Sequence, residues 1–356
     1  MNILVTGNRG YIGSVLTEML LNRFYRVTGY DMDYYAGCEL DSMPTGLKQI
    51  RKDIRDVSAD DVRAIDGVIH LAALSNDPLG EFDPQLTEEI NLSATLKLAA
   101  AAKKSGVKRF IYASSQSMYG ISQRDEELDE DNSDKHPLTA YAKTKWEAEC
   151  ALKKLSSKDF AVVCFRPSTV FGASPKLRCD IVFNNLVACA HTMGKIEIKS
   201  DGTPWRPVVH VRDVSSAFIA GLEAPVDLIS KESFNVGIPD GNFSVRDLAE
   251  AAQRAVAGST LVFTKEHGAD SRTYKVSFKK ILTVLKDYYQ PQWDLDKGAK
   301  ELIGFFKQIG FSIEHFQGKR CTRLKQLRYL LDTKQLDQNL RWAKSSQENF
   351  QKESAL

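Results

Sequence analysis

The chain has 356 residues, 43% of them hydrophobic, which supplies a sizeable core for one large domain or two smaller ones. A formal net charge of +2, with no apolar run of membrane-spanning length and no charged leader before the strand pattern at Asn2, argues against nucleic-acid and membrane partners and for a soluble, cytoplasmic protein. Cys38, Cys150, Cys164, Cys179, Cys189 and Cys321 are scattered without metal-ligand or redox-motif spacing, so reduced structural thiols and no bound metal are expected.

Ile3-Leu4-Val5 is a short apolar run of the kind that forms a buried strand. Thr6-Gly7-Asn8-Arg9-Gly10-Tyr11-Ile12-Gly13 follows, and a helical pattern then runs to about Leu21. Three glycines at a spacing of three, between a strand and a helix, suit a phosphate-binding turn. Gly7 permits the sharp turn, Gly10 lets a pyrophosphate approach the backbone, and Gly13 lets the helix pack on the sheet; the helix N-terminus, at Tyr11 and Ile12, supplies free N–H groups. A Gly-rich turn without a ligand has the same spacing, but the strand-turn-helix context supports a ligand.

Arg26-Val27-Thr28-Gly29-Tyr30-Asp31 is a second strand, ending in an acid eighteen residues after Gly13. A carboxylate there accepts hydrogen bonds from both ribose hydroxyls of an adenosine and repels a 2′-phosphate, which points to NAD over NADP. Arg9 pulls the other way, because a basic residue in the Gly-rich turn attracts a 2′-phosphate. Residues 48–53 read as a third strand, with Asp53 and Ile54 bordering the adenine. Gly67-Val68-Ile69-His70-Leu71-Ala72-Ala73 is a fourth, whose small residues let a cofactor pass closely; His70 reads as a packed strand residue. Residues 84–104 are helical, and 108–113 form a fifth strand that delivers Ser114 to Ser117 at its C-terminal end. An acidic loop at 126–134 is a solvated surface.

A helix at 139–155 carries Tyr141 and Lys145, four residues apart and therefore one turn apart on one side. A free phenol titrates near 10, and a neighbouring ammonium lowers that value. With a Ser hydroxyl to hold a substrate oxygen, such a phenol exchanges protons with an alcohol or ketone. Taken alone, the Tyr-Lys spacing fits an amphipathic helix with a surface Lys equally well. A sixth strand at 161–165 ends at Arg166-Pro167. This alternation predicts an α/β fold, a doubly wound parallel Rossmann sheet, with Gly7, Asp31, Ser115 and Arg166 along the C-terminal edge where such sheets bind ligands.

After Gly172 the rhythm breaks. Residues 173–205 are expected to leave the main sheet, and Val208-Val209-His210-Val211-Arg212-Asp213 to return to it as a strand and a capped helix start, with His210 and Asp213 structural. From about Ser244 the pattern is mostly helical, and 321–331 looks like an amphipathic helix that ends the folded part. The division expected is a nucleotide-binding domain at 1–172 plus 206–238, a smaller, mostly helical substrate domain at 173–205 plus 239–332, and a C-terminal tail at 333–356.

The ordered set Gly7, Gly10, Gly13, Asp31, Asp53-Ile54, His70-Leu71-Ala72-Ala73, Asn91, Ser115, Tyr141 with Lys145, Arg166-Pro167, Arg206, His210-Val211 and Asp213 resembles the extended short-chain dehydrogenase/reductase superfamily, in its nucleotide-sugar epimerase/dehydratase branch. The likeness runs from Asn2 to about Leu285. It implies that Tyr141 is the acid/base, that Lys145 binds the nicotinamide ribose and lowers the Tyr pKa, and that Ser115 is the hydroxyl partner. It implies cofactor contacts at Gly7, Arg9, Gly10, Tyr11, Ile12, Gly13, Asp31, Asp53, Ile54, Leu71, Ala72, Ala73, Asn91, Tyr141, Lys145 and Pro167. Arg206 and Arg272 resemble arginines that bind the diphosphate of a sugar nucleotide, with Ser75, Ser115, Gln116, Ser117 and Thr169 near the substrate. A homodimer paired through 84–104 and 139–155 is also implied, with Ala99 to Ala102 as a small-residue packing surface.

Three departures matter. Dehydratases of this branch place Asp-Glu after the catalytic Thr or Ser, where this chain has Gln116 and Ser117. An Asn common near Thr169 is missing, and the tail from about Phe311 has no counterpart in the common members. The expected activity is an NAD-dependent nucleotide-sugar epimerase that transiently oxidises a sugar hydroxyl, commonly at C4, and returns the hydride. The alternatives are a net 4-keto-sugar reductase using NADH or NADPH and, in another class, a non-catalytic Rossmann sensor of the cofactor.

Overall fold

A computed structural model describes residues 1–121, 126–264 and 273–343. Strands β1 (Asn2–Thr6), β2 (Arg26–Asp31), β3 (Lys48–Arg51), β4 (Gly67–His70), β5 (Arg109–Ala113) and β6 (Ala161–Pro167) appear in chain order where the apolar runs predict them. They are followed by β7 (Thr169–Phe171), β8 (Lys195–Ile198), β9 (Trp205–His210), β10 (Ser233–Val236), β11 (Asn242–Ser244) and β12 (Thr260–Phe263). The main sheet has seven strands in the order β10-β6-β5-β4-β1-β2-β3, and every neighbouring pair is parallel. Reversal of strand order between β1 and β4 opens a crevice at their carboxyl ends, the ligand site of such sheets.

Alternation along the strands sends side chains to two cores. Ile3, Val5, Ile69, Ile111, Val163 and Phe165 face one layer, which continues through the helix Val211–Glu223 into the C-terminal half at Phe171, Phe183 and Phe306. Leu4, Val68, Phe110, Val162 and Cys164 face the other, under the helices Ala94–Lys104 and Ala140–Leu155. Near-continuous burial along these strands is what a parallel sheet covered on both faces requires.

Several expectations change. The strand at Trp205–His210 does not rejoin the main sheet: β9 pairs parallel with β7 and antiparallel with β11 in a separate three-stranded sheet, and the seventh place in the main sheet goes to β10. Residues 84–104 form one rod interrupted by a π turn at Glu89–Ser93. Ala99 and Ala102 are fully buried against their own chain, so two of the four alanines expected to pack a second copy are already used. The helix Arg323–Asp332 does not end the fold, since Leu336 bridges Trp342 beyond it. That segment packs on the nucleotide half: Trp342 Nε1 donates to the Met32 carbonyl at 2.8 Å, Tyr34 Oη to the Leu340 carbonyl at 2.7 Å, and Arg341 pairs with Asp53 at 3.2 Å.

One buried ion pair joins the two layers behind the crevice. Glu149 and Arg166 are essentially inaccessible and meet at 2.6 Å. Ser114 Oγ and Ser233 Oγ also donate to the Glu149 carboxylate, at 2.6 and 2.7 Å, while Arg166 Nη1 donates to Tyr119 Oη at 2.8 Å. Burial pushes the Glu149 pKa up, but Arg166 and the two serine donors outweigh it and leave the carboxyl below its usual value. Stability from this group is therefore complete above the ordinary glutamate range and lost as pH falls through the lowered folded value. Arg166→Met, which strands the carboxylate, is expected to cost about 3–5 kcal/mol in urea unfolding, and the double variant Arg166→Met/Glu149→Leu to recover most of it. A double variant as unstable as the single would contradict this account.

Candidate active site

The crevice is a cleft of about 560 Å³ that runs from the Gly-rich turn, past Tyr141, to β9 and Tyr274. Its floor at one end is the turn between β1 and the helix Tyr11–Asn22. Gly7 has φ +73°, and a Cβ there would lie 2.8 Å from the Ala72 nitrogen. At Gly13 a Cβ would lie 2.0 Å from the Gly7 carbonyl oxygen, so the helix can start this close to the turn only without a side chain. No acidic residue occupies the first helical turn, which leaves its N–H dipole open to an anion. Tyr11 contributes its wall but not a free phenol: its Oη donates to the Gly172 carbonyl at 2.7 Å and accepts from Asn184 at 3.1 Å.

Asp31 lies at the end of β2 and lines the cleft, and its carboxylate accepts the backbone N–H of Arg9 at 3.0 Å and of Asp33 at 2.7 Å. Burial, then Asp33, pushes its pKa up, and the two N–H groups act against that. Arg9 does not line the cleft; its guanidinium pairs with Asp33 at 2.7 Å and Glu39 at 3.3 Å. Asp53 and Ile54 border the same end, where Asp53 is held by Arg55 at 2.7 Å. Leu71, Ala72, Ala73 and Ser75 form the wall after β4. Asn91 lies behind that wall: from the π turn it accepts the Leu74 N–H at 2.8 Å and donates to the Leu74 carbonyl at 3.1 Å, so it clamps the loop and does not face the ligand.

Ser115, Tyr141 and Lys145 come together in the middle of the cleft. Thr139 caps the helix Ala140–Leu155, and its Oγ1 donates to Asp77 at 2.6 Å, which fixes the first turn where Tyr141 projects. Tyr141 and Ser115 face the same part of the cleft. Burial pushes the phenol up to about 12, opposed by the neighbouring Ser115 hydroxyl and by the charge of Arg178. Lys145 Nζ donates to the Ala113 carbonyl at 2.7 Å, 4.8 Å from the centre of the Tyr112 ring, and burial pushes it down to about 7. The expected lowering of the Tyr141 pKa thus comes, among the chain's own groups, from Ser115 and Arg178 and not from Lys145. Ser115 Oγ accepts the Ser117 N–H at 3.1 Å, a turn that presents both hydroxyls to the cleft.

Gln116 turns its amide NH₂ to the Arg166 carbonyl at 3.0 Å and Ser168 Oγ at 3.1 Å, leaving Oε1 buried with no hydrogen-bond partner among the described residues. Pro167 and Thr169 line the adjoining wall. Arg206 reaches the cleft from β9, with Nη1 donating to the Trp205 carbonyl at 2.9 Å. Arg272 lies outside the described residues. His70 is buried between Thr6 and Thr95, at 2.6 and 2.7 Å, and burial followed by the charge of Lys145 pushes it down to about 3, so it is a neutral packing group.

Arg178, Asp180, Tyr274, Tyr35 and Arg323 also line the cleft, and the sequence did not mark them. Arg178 pairs with Asp180 at 2.9 Å and donates to Ser75 Oγ at 3.3 Å. No motif surrounds it; only the β7 loop folding over the Gly-rich turn brings it there. Among the described residues no group of three or more His, Cys, Asp and Glu is placed to hold a metal ion.

The profile of the family described as "NAD dependent epimerase/dehydratase family" matches residues 3–237. The chain belongs to that family. It is 29% identical over 294 residues to a UDP-glucose 4-epimerase of Bacillus subtilis (strain 168), covering 71% of this chain and 82% of that one. It is 31% identical over 326 residues to a dTDP-D-glucose 4,6-dehydratase of Mus musculus, covering 86% and 88%. Among solved structures it is similar to UDP-glucuronic acid 4-epimerase from Bacillus cereus in complex with UDP-glucuronic acid and NAD, with TM-score 0.73, 26% identity, and 87% and 100% of the two chains covered.

The residues present fit the dinucleotide that this family uses. The Gly7–Gly13 cradle has no room for side chains, the first helical turn is free of acids, and Asp31 presents acceptors at the ribose position. Arg9 is bound by two carboxylates away from the cleft, which removes the argument for a 2′-phosphate. Calorimetric titration is expected to give tighter binding of NAD than of NADP; the reverse order would mean that Arg9 leaves Asp33 and Glu39 to meet a phosphate.

Proposed function

We propose that this family member is an NAD-dependent nucleotide-sugar epimerase acting by transient oxidation of a sugar hydroxyl. The observation that carries the reading is the convergence of Ser115, Tyr141 and Lys145 in a cleft with an anion cradle at one end and Arg206 at the other. Gly7 to Gly13 and Asp31 would hold NAD, which would supply a reversible hydride acceptor. Ser115 holds the sugar oxygen, and Tyr141 takes its proton and later gives one back. A phenol held near 12 is a strong base once ionised, and positive charge from Arg178 favours that ionised form. Arg206 binds the diphosphate, with Ser75, Gln116, Ser117 and Thr169 around the sugar. C4 is the favoured carbon because relatives on both sides of the comparison are named as 4-epimerases.

Dehydration is disfavoured although a dehydratase is among the relatives. Removing water across C5 and C6 needs an acid and a base next to the catalytic hydroxyl. Gln116 is an amide already bonded to Arg166 and Ser168, and Ser117 is an alcohol bonded to Ser115. An epimerase regenerates its cofactor in each cycle. Conversion of a nucleotide hexose is therefore expected with catalytic NAD and no net absorbance change at the NADH band, and Tyr141→Phe is expected to lower turnover by roughly 10²–10⁴ while NAD binding stays close to wild type. Stoichiometric consumption of NADH or NADPH with a 4-keto sugar, and no interconversion of saturated epimers, would make the protein a reductase instead.

No helix among the described residues is long and apolar enough to cross a membrane, and we place the enzyme in the cytoplasm. We also read it as a homodimer paired through the rod at residues 84–104 and the helix Ala140–Leu155. With Ala99 and Ala102 buried, the contact must use the outward residues of that rod, such as Ala100. Light scattering at micromolar concentration is expected to give twice the 39.8 kDa chain mass; a monomer mass would refute the pairing.

A further inference from the structure

The segment after the family match wraps the dinucleotide end of the cleft. Its helix, Arg323–Asp332, spans from the loop after β2, where Gln326 donates to the Tyr34 carbonyl at 3.2 Å, towards the short helix Asp77–Gly80 after β4. Trp342, Leu340 and Arg341 then hold Met32, Tyr34 and Asp53 from outside. The Cys179 N–H donates to the Cys321 carbonyl at 2.9 Å, which ties the start of this segment to the loop carrying Arg178.

Arg323 is the residue of this segment that lines the cleft. It is only 3% exposed and stacks on the Tyr35 ring, its guanidinium carbon 4.1 Å from the ring centre. Nη2 donates to the Lys176 carbonyl at 2.9 Å, while Nη1 is buried with no hydrogen-bond partner among the described residues. A guanidinium is always charged and carries five donors, so burying one with a donor unmatched and no carboxylate bonded to it is costly. An anion in the cleft would satisfy it. Tyr35, on which the guanidinium stacks, lines the cleft in the loop after β2, the strand that ends in Asp31, so Arg323 enters the cleft beside its dinucleotide end.

We propose that Arg323 binds the diphosphate of the dinucleotide, and that residues 323–343 form the outer wall of its site. This deepens the cofactor part of the reading above and is independent of whether the enzyme is an epimerase or a reductase. A wall joined to Met32, Tyr34 and Asp53 also encloses the adenosine end, which suits a cofactor that stays bound from one cycle to the next.

The test uses the full chain, freed of bound nucleotide, and calorimetry with four probes: NAD, ADP-ribose, adenosine and UDP. Arg323→Ala is expected to weaken NAD and ADP-ribose by roughly ten- to a hundred-fold while adenosine binding is unchanged, because only the first two carry a diphosphate. Arg323→Lys, which keeps the charge without the planar fork, should fall between. Arg328→Ala, on the exposed side of the same helix, should match wild type. Thermal unfolding of each variant separates loss of the fold from loss of the contact, and Arg323→Lys carries the test if the alanine variant unfolds. Unchanged NAD affinity, or an equal loss for adenosine, would reduce Arg323 to a packing residue and overturn the proposal. Weaker UDP binding with NAD affinity intact would assign it to the substrate diphosphate and overturn it as well. A wild-type chain that binds none of the adenine probes would instead defeat the dinucleotide reading itself.

Discussion

Everything at the centre of the cleft is referenced to the Glu149 carboxylate. Tyr141, Lys145 and Glu149 follow one another at four-residue steps on a single face of the helix Ala140–Leu155, so what holds Glu149 positions the other two. Glu149 is held by Arg166 from β6, Ser233 from β10 and Ser114 from the end of β5. Ser114 precedes Ser115, so one buried carboxylate sets the separation between the strand end that carries the serine and the helix that carries the tyrosine. Such a pair adds little net stability against an apolar replacement, but it fixes geometry, because a buried charge tolerates no displacement from its partner.

Burial governs the electrostatics of the same helix face. It raises the Tyr141 phenol and lowers the Lys145 ammonium, disfavouring the charged form of each. The phenol therefore rests neutral at physiological pH, while Lys145 is divided between its charged and neutral forms. Arg178 supplies a permanent positive charge nearby, itself anchored by Asp180. His70, one strand away, is kept neutral by the same desolvation and cannot compete for the proton.

The two ends of the cleft are built differently. The Gly-rich turn offers backbone N–H groups and a helix dipole, with Arg9 drawn off by Asp33 and Glu39. Guanidinium groups reach the cleft from three separate parts of the chain: Arg178 after β7, Arg206 on β9 and Arg323 on the C-terminal helix. These segments are brought together by the pairing of β7 with β9 and by the tie between Cys179 and Cys321, so the three arginines are assembled by tertiary contacts alone.

What the sequence determined by itself was everything encoded at short range. The strand-turn-helix with its glycines, the acid ending β2, the Tyr-Lys spacing and the serines after β5 all rest on periodicities and local sterics that hold wherever the segment folds, and the first six strands lie where the runs placed them. Tertiary structure alone decided the rest. Whether Trp205–His210 joins the main sheet or a second one depends on which edge has free N–H and C=O groups, and β10 takes the edge beside β6. Asn91 proved to be a clamp on Leu74 because a π turn rotates it behind the wall. Ala99 and Ala102 face inward because the rod packs on the sheet through that side. Arg178, Tyr35 and Arg323 have no local signature, since an arginine's role is set by the groups around its guanidinium. Those groups come from distant parts of the chain: Lys176 lies 147 residues from Arg323, and Tyr35 further still.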